Sequence, residues 1–385
     1  MRLAEAGLEP FRIEVPDEVL EDLRQRLART RLPDQVPGTA WEYGFDLGYL
    51  KELIAYWSDG YDWRRHESLL NSFDQYLAEV EGQRIHLLRA PSPEGGALPL
   101  LLLHGWPGSV FEFHKVLGPL SDPRAHGASP EDAFEVVCPS LPGYGFSGPT
   151  TEPGWDSRRM AQAFCELMGR LGHERFCVQG GDWGALIATQ MALAAPERLI
   201  GVHLNMAVAG PPEGDDLSGL SPAELAALDD MAHYDRVESG YYKIQSTRPQ
   251  TLAYALNDSP AGLAAWIVEK FRSWSDCGGD VEASFTKDEL LTNVMLYWVT
   301  GTAGSSARLY YETTKAGRFG PAGRVEVPTG CAIFPKEIIR PPRRWVEAAF
   351  NLVGWRELDR GGHFAALEVP ELFVDVVREF FRGLR

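Results

Sequence analysis

Three apolar runs that each end in a glycine turn constrain this chain most: LPLLLLHGWPG from Leu98, FEVVCPSLPGYG from Phe134 and RFCVQGGDWG from Arg175. A strand with one wet face alternates apolar and polar residues. A strand that is apolar throughout must be covered on both faces. Helical stretches at 111–120, 157–171 and 185–194 separate these runs, and LIGVHLNM (199–206) continues the pattern. Buried strand alternating with helix predicts βαβ units, and hence a parallel sheet flanked by helices. The expected class is α/β.

The remainder of the chain reads differently. Residues 17–27 set Val19, Leu20, Leu23 and Leu27 at helical spacing, and Pro33 and Pro37 stop that helix. Residues 49–57 and 63–72 read as further helices, and 84–89 (RIHLLR) as a strand. After Met206 the alternation stops. From about Val208 to Thr302 the chain is helical or irregular and rich in Tyr and Trp, which predicts an insertion over the sheet's C-terminal edge. Strand character returns at 325–334 and 356–359, and an amphipathic helix at 369–381 follows. The expected division is a helical leader at 1–95, a first core segment at 96–207, a cap at 208–320 and a second core segment at 321–385.

Composition narrows the function. At 385 residues and 44% hydrophobic the chain can bury a sizeable core. Its formal net charge of -17 argues against nucleic acid and anionic lipid as partners. The cysteines Cys138, Cys165, Cys177, Cys277 and Cys331 are odd in number and scattered, which fits free thiols in a reducing cytoplasm. The start MRLAEAGLEPFRIEV has no basic region followed by an apolar one, so no signal peptide is expected. No apolar run approaches the roughly 18 residues that span a bilayer. The basic residues are mostly arginine, which suits a GC-rich bacterial genome.

Gly180-Gly181-Asp182-Trp183-Gly184 lies between a predicted strand and a predicted helix. That context fits a nucleophile elbow, a tight turn that exposes one side chain. The central residue is Asp rather than Ser, and no G-x-S-x-G occurs in the chain. A carboxylate needs no base to activate it and can attack an sp³ carbon to leave an ester. Asp182 also suits the cap of the helix that follows, and the motif alone fits either role. His104-Gly105-Trp106-Pro107-Gly108 ends an earlier strand. In an elbow fold that loop and the residue after the nucleophile supply oxyanion donors, which nominates the N–H groups of Trp106 and Trp183. His363, in RGGHF after the last predicted strand, is the candidate base. The acid should follow an earlier strand, which favours Glu337 over Asp359 and Glu312, with a surface ion pair as the alternative role for Glu337. No metal-ligand spacing, phosphate loop or dinucleotide fingerprint appears, so no cofactor or metal is expected.

With these motifs in place, the chain resembles epoxide hydrolases of the microsomal and juvenile-hormone type. The resemblance runs through FRIEVPDEVLEDLRQRLARTRLPD, HGWPGS, PSLPGYGFS, GGDWG, ESGYYKIQ, LLTNVMLYWVTGTAGSSARLYYE and RGGHFAALEVPE. It implies an α/β-hydrolase fold: a mostly parallel central sheet flanked by helices, with a helical cap insertion and an N-terminal helical leader. It also implies that two cap tyrosines bind substrate. These fall on Tyr241 and Tyr310, with Tyr242 and Tyr311 as neighbours in each motif. Membrane-bound relatives carry an N-terminal anchor that this chain lacks, so a soluble cytoplasmic enzyme is expected.

The resemblance implies the following chemistry. Tyr241 and Tyr310 hold the epoxide oxygen, and Asp182 attacks a ring carbon to form an ester. His363, oriented by Glu337, activates a water, the N–H groups of Trp106 and Trp183 hold the oxyanion, and a vicinal diol leaves. The partners are then a hydrophobic small-molecule epoxide and water, with a homo-oligomer allowed for. The cap aromatics Trp266, Trp274, Trp298 and Tyr254 point to an aryl, styrene-oxide-like substrate. Soluble bacterial relatives point to secondary metabolism such as enediyne antibiotic biosynthesis. A haloalkane dehalogenase, or a catalytically silent ligand-binding protein of the same fold, are the competing readings.

Overall fold

The computed structural model describes residues 7–317 and 319–385. Among these, nine strands form one sheet: β1 (Leu8–Pro10), β2 (Asp74–Val80), β3 (Gln83–Ala90), β4 (Leu98–Leu103), β5 (Phe134–Pro139), β6 (Phe176–Gly180), β7 (Leu199–Leu204), β8 (Val325–Ile333) and β9 (Phe350–Glu357). Their order is β1-β2-β3-β5-β4-β6-β7-β8-β9. The β5–β4, β4–β6, β6–β7, β7–β8 and β8–β9 pairs are parallel. The β1–β2, β2–β3 and β3–β5 pairs are antiparallel. The mostly parallel sheet expected from the sequence is therefore present.

The sheet has a core on each face, which explains the unbroken apolar runs. Leu101 and Leu103 of β4 face one apolar cluster, while Leu100 and Leu102 face the other. Phe176 and Val178 of β6 separate from Cys177 in the same way. Each buried leucine of this kind contributes about 1.5–3 kcal/mol. The helices Ser157–Arg170 and Asp182–Ala194 cover one face, and Pro370–Arg382 lies on the other.

Between β7 and β8 the chain forms helices at Pro222–His233, Gly240–Thr247, Pro249–Asp258, Pro260–Ser273, Lys287–Thr300 and Ala303–Lys315. The leader helices pack against these. Tyr56 Oη donates to Asp288, and Arg26 bonds both the carbonyl and the carboxylate of Asp258.

Two expectations are corrected, and one strand was missed. β2 went unread: its sequence DQYLAEV is too polar to look buried, and it pairs with β3 through a tight turn at Glu81 and Gly82, φ +51° and +75°. The helix expected over 111–120 breaks into a 3₁₀ turn at Val110–Phe113 and a short helix at Leu117–Ser121. Pro119 fits the first turn of a new helix, where no N–H is needed, but not the interior of a long one. The last strand is β9 at Phe350–Glu357, so Asp359 lies beyond it. The reading of the N-terminus as no signal peptide rests partly on residues 1–6, which lie outside the described residues. No described helix is long and apolar enough to cross a membrane.

Candidate active site

Asp182 opens the helix that follows β6 and has φ +48°, in the left-handed region that a side chain occupies at a cost of about 1–2 kcal/mol. Its surroundings enforce that turn. A Cβ on Gly184 would lie 2.1 Å from the Leu103 carbonyl oxygen, so helix and strand approach too closely for any side chain. A Cβ on Gly105 would lie 2.0 Å from Asp182 Oδ1. The carboxylate does not cap its own helix: the cap position is Gly181, with no side-chain cap bond. Instead the Trp106 N–H donates to Asp182 Oδ1 at 2.7 Å. The Trp183 N–H is a first-turn donor and has no intrahelical acceptor.

The loop that carries Trp106 is held from both sides. His104 Nδ1 lies 3.0 Å from the Gly105 carbonyl, and its Nε2 accepts the Leu141 N–H at 3.1 Å. The Nε2 bond requires the neutral ring with its proton on Nδ1, and burial lowers its pKa to about 4. From the insertion, Asn293 Nδ2 donates to the Pro107 carbonyl at 2.7 Å and Tyr297 Oη to the Gly108 carbonyl at 2.6 Å. These two side chains stand one helical turn apart on Lys287–Thr300, so a single helix face fixes the loop.

His363 Nδ1 lies 2.7 Å from Glu337 Oε1, and His363 Nε2 lies 3.5 Å from Asp182 Oδ2. Glu337 follows β8, and its Oε1 also accepts the Ile338 N–H at 2.7 Å. Burial alone would lower the His363 pKa. The negative charges and hydrogen bonds of Glu337 and Asp182 override it and hold the pKa well above 6.5. The carboxylates within ion-pair distance of the His363 ring are Glu337 and Asp182, not the rivals Asp359 and Glu312. The His363 N–H donates to the Trp274 carbonyl at 2.9 Å, and the Trp274 ring stands edge-on to the imidazole at 5.1 Å.

The tyrosine pairs separate cleanly. Tyr241 stacks on Trp106 with centroids 4.9 Å apart, and Tyr310 packs edge-on against Trp183 at 4.6 Å. The neighbours differ: the Tyr242 ring lines the cavity against Tyr310 while its Oη bonds Thr314, and Tyr311 carries Lys315 over its ring. Burial first, then nearby tyrosines and the Asp182 charge, push the Tyr241 and Tyr310 hydroxyls well above 10, so both stay protonated donors. Tyr310 Oη has no hydrogen-bond partner among the described residues. Tyr241 Oη lies 2.6 Å from Tyr234 Oη. Tyr234 was not singled out from sequence. It opens a π-helical turn at Tyr234–Glu238, a local widening that often marks functional sites but leaves no simple sequence motif.

Asp182, Tyr241 and Tyr310 line a partly open cavity of about 30 Å³ with Leu186, Met206 and Ile338. Trp266, Trp298 and Tyr254 do not line it. Trp266 bonds Gln245, Arg26 lies over Trp298, and Tyr254 is 71% exposed. Trp274, the fourth cap aromatic of the sequence reading, lies against His363 instead. Among the described residues no group of three or more His, Cys, Asp or Glu could hold a metal ion.

The family described as "Epoxide hydrolase N terminus" matches residues 8–113, and the family described as "alpha/beta hydrolase fold" matches residues 99–234. The chain is 48% identical over 98% of its length to a Stigmatella aurantiaca protein assigned as an epoxide hydrolase, covering 86% of that protein. It is 42% identical to epoxide hydrolase 1 of Sus scrofa, with 97% of this chain and 88% of that one covered. Among solved structures, Aspergillus niger epoxide hydrolase superposes with a TM-score of 0.89 at 32% identity, over 99% of this chain and 98% of that one. Juvenile hormone epoxide hydrolase from Bombyx mori gives 0.89 at 33% identity, over 98% and 95%.

Proposed function

The chain belongs to the epoxide hydrolases, with their α/β-hydrolase fold, and from that premise we propose that it opens a hydrophobic epoxide through an alkyl-enzyme ester on Asp182. The observation that carries this reading is the placement of Asp182. Its Oδ1 is engaged by a backbone N–H, its Oδ2 faces His363, and protonated tyrosines line the cavity beside it.

Asp182 Oδ2 attacks a ring carbon, and the carbon–oxygen bond of the epoxide breaks. Tyr241 and Tyr310 donate to the ring oxygen as its charge grows, and it ends as a hydroxyl. Esterification removes one of the two negative charges that hold the His363 proton. His363 then releases that proton, which balances the one the ring oxygen took. The neutral imidazole, still oriented by Glu337, accepts a proton from water as the water oxygen bonds to Asp182 Cγ. The Trp106 and Trp183 N–H groups hold the oxyanion on Oδ1. Collapse breaks the ester, the alkoxide takes the proton back from His363, the acid left on Asp182 passes its own proton to His363 to restore the carboxylate, and a vicinal diol leaves.

The same reading extends to organisation: a leader at 1–95 bracing a cap at 208–320 over a core at 96–207 and 321–385. It extends to a bacterial, cytoplasmic enzyme of secondary metabolism acting on an aryl epoxide in an antibiotic pathway. The apolar walls of Leu186, Met206 and Ile338 favour a hydrophobic substrate. A cavity of about 30 Å³ is far below the roughly 300 Å³ of a ligand-sized pocket, so the cap shifts to admit it. Paired tyrosine hydroxyls beside the carboxylate favour an epoxide over a haloalkane, whose leaving halide needs no proton donor.

Single turnover in ¹⁸O-water tests the ester. The first turnover should label Asp182 and leave the diol unlabelled. Label in the first-turnover diol would mean that water attacks the epoxide directly.

A further inference from the structure

Asp182 lies between two cavities. One is the tyrosine-lined cavity already described. The other, about 20 Å³, is lined by Asp182, His363, Gly105, Phe364 and a carboxyl with no role so far, Glu112. A space of this size holds one water, which needs two to four polar partners. Glu112, His363 and Asp182 supply them.

Glu112 reaches that cavity from the 3₁₀ turn Val110–Phe113. Its path crosses Gly108: a Cβ there would lie 1.3 Å from Glu112 Oε1. The glycine that ends the HGWPG loop therefore keeps a channel open for this carboxyl. Glu112 is half-buried and has no ion-pair partner among the described residues, and an apolar side chain would fill such a space at less cost.

We propose that this cavity is the site of the hydrolytic water and that Glu112 is a catalytic residue of the second half-reaction. The proposal rests on the ester route above. The water gives one hydrogen to His363 Nε2 and hydrogen-bonds Glu112 with the other. That leaves a lone pair directed at Asp182 Cγ. As the water oxygen bonds to Cγ, the first proton passes to His363 and the second stays on the oxygen, held by Glu112. Water and epoxide thus occupy separate sides of the carboxylate, and the bound epoxide need not leave room for the water.

Rapid-quench mass spectrometry of the intact protein with styrene oxide as probe separates ester formation from ester breakdown. In Glu112→Leu ester breakdown should slow about 10- to 100-fold, the loss of one buried hydrogen bond to water, while ester formation changes little. Glu112→Gln keeps an acceptor and should lose less. Gly108→Ala, which displaces the carboxyl without removing it, should resemble Glu112→Leu. Thermal unfolding of each variant identifies any that fail to fold. Ester breakdown at the unmodified rate in folded Glu112→Leu, or equal slowing of both steps, would overturn the role of Glu112. His363→Gln is the control for the underlying route. If it traps ester and Glu112→Leu does not, only the inference about Glu112 falls. If neither traps ester, the covalent route itself falls.

Discussion

The Trp106 N–H donates to Asp182 Oδ1 at 2.7 Å, so the donor that would hold the oxyanion is already engaged on the carboxylate. Only Oδ2 is left to attack, and no reorganisation is needed when charge develops on Oδ1. This arrangement depends on Gly105, because a Cβ there would occupy the position of Oδ1. Gly105→Ala should therefore cut kcat/KM by at least about 100-fold, the loss of one oxyanion donor. The circular dichroism spectrum should keep its native form. Wild-type kinetics in that variant would mean that the Trp106–Asp182 contact is not needed.

The tyrosines should sort by neighbour. Tyr241→Phe and Tyr310→Phe should each slow ester formation about 10²–10³-fold, and the double variant should abolish it. Tyr242→Phe and Tyr311→Phe, which keep the ring and remove a hydroxyl that bonds Thr314 in one case and lies outside the cavity lining in the other, should change it less than about 3-fold, within the worth of a weak exposed contact. Stopped-flow ester formation checks all five variants. A severe loss in Tyr242→Phe would place the donor on the wrong neighbour.

Tyr234 Oη lies 2.6 Å from Tyr241 Oη; with Tyr234 as the donor, the Tyr241 O–H is free for the ring oxygen. It acts as a positioning residue. Tyr234→Phe should lower the ester-formation rate about 2- to 10-fold, the worth of one neutral hydrogen bond, while ester breakdown stays the same. An equal fall in both steps would indicate loosened packing instead.

Glu337→Gln removes the nearer charge from His363 and should lower the imidazole pKa. Ester breakdown should fall about 10²–10⁴-fold, the usual worth of an oriented general base, and trapped ester should be visible by mass. Rapid diol release without trapped ester would make another group the orienting acid.

Glu112 also predicts a pH dependence of stability. Burial first, then the charges of Asp182 and Glu337 against the opposing His363, push its carboxyl up to about 8 from an ordinary 4.5. Between these values the folded state binds more protons than the unfolded chain, so stability falls as pH rises. This contribution is full below 4.5 and is lost on the way to 8. Over that window the slope is at most about 1.4 kcal/mol per pH unit. Urea unfolding at pH 5, 6.5 and 8 should show a flatter profile for Glu112→Gln than for the unmodified chain. A steeper fall in the variant would mean that Glu112 is ionised in the folded protein.

The sequence by itself determined what depends on neighbours along the chain. Continuous apolar runs specified β4, β5 and β6, because a strand covered on both faces has no reason to alternate. GGDWG specified the turn at Asp182, because close backbone contact admits only glycine around it. Helix spacing found the leader and the last helix to within a residue or two. β2 and the true span of β9 escaped because both lie toward the sheet's edges, where polar residues are tolerated and the pattern weakens. What the tertiary structure decided is which distant groups meet. Asp182 could have been a helix cap until the Trp106 N–H reached it across the sheet. Chain order favoured Glu337 over Asp359, but only the fold brought Glu337 to the His363 ring. Tyr234 and Glu112 carry no motif of their own, since each gains its place from a partner far along the chain.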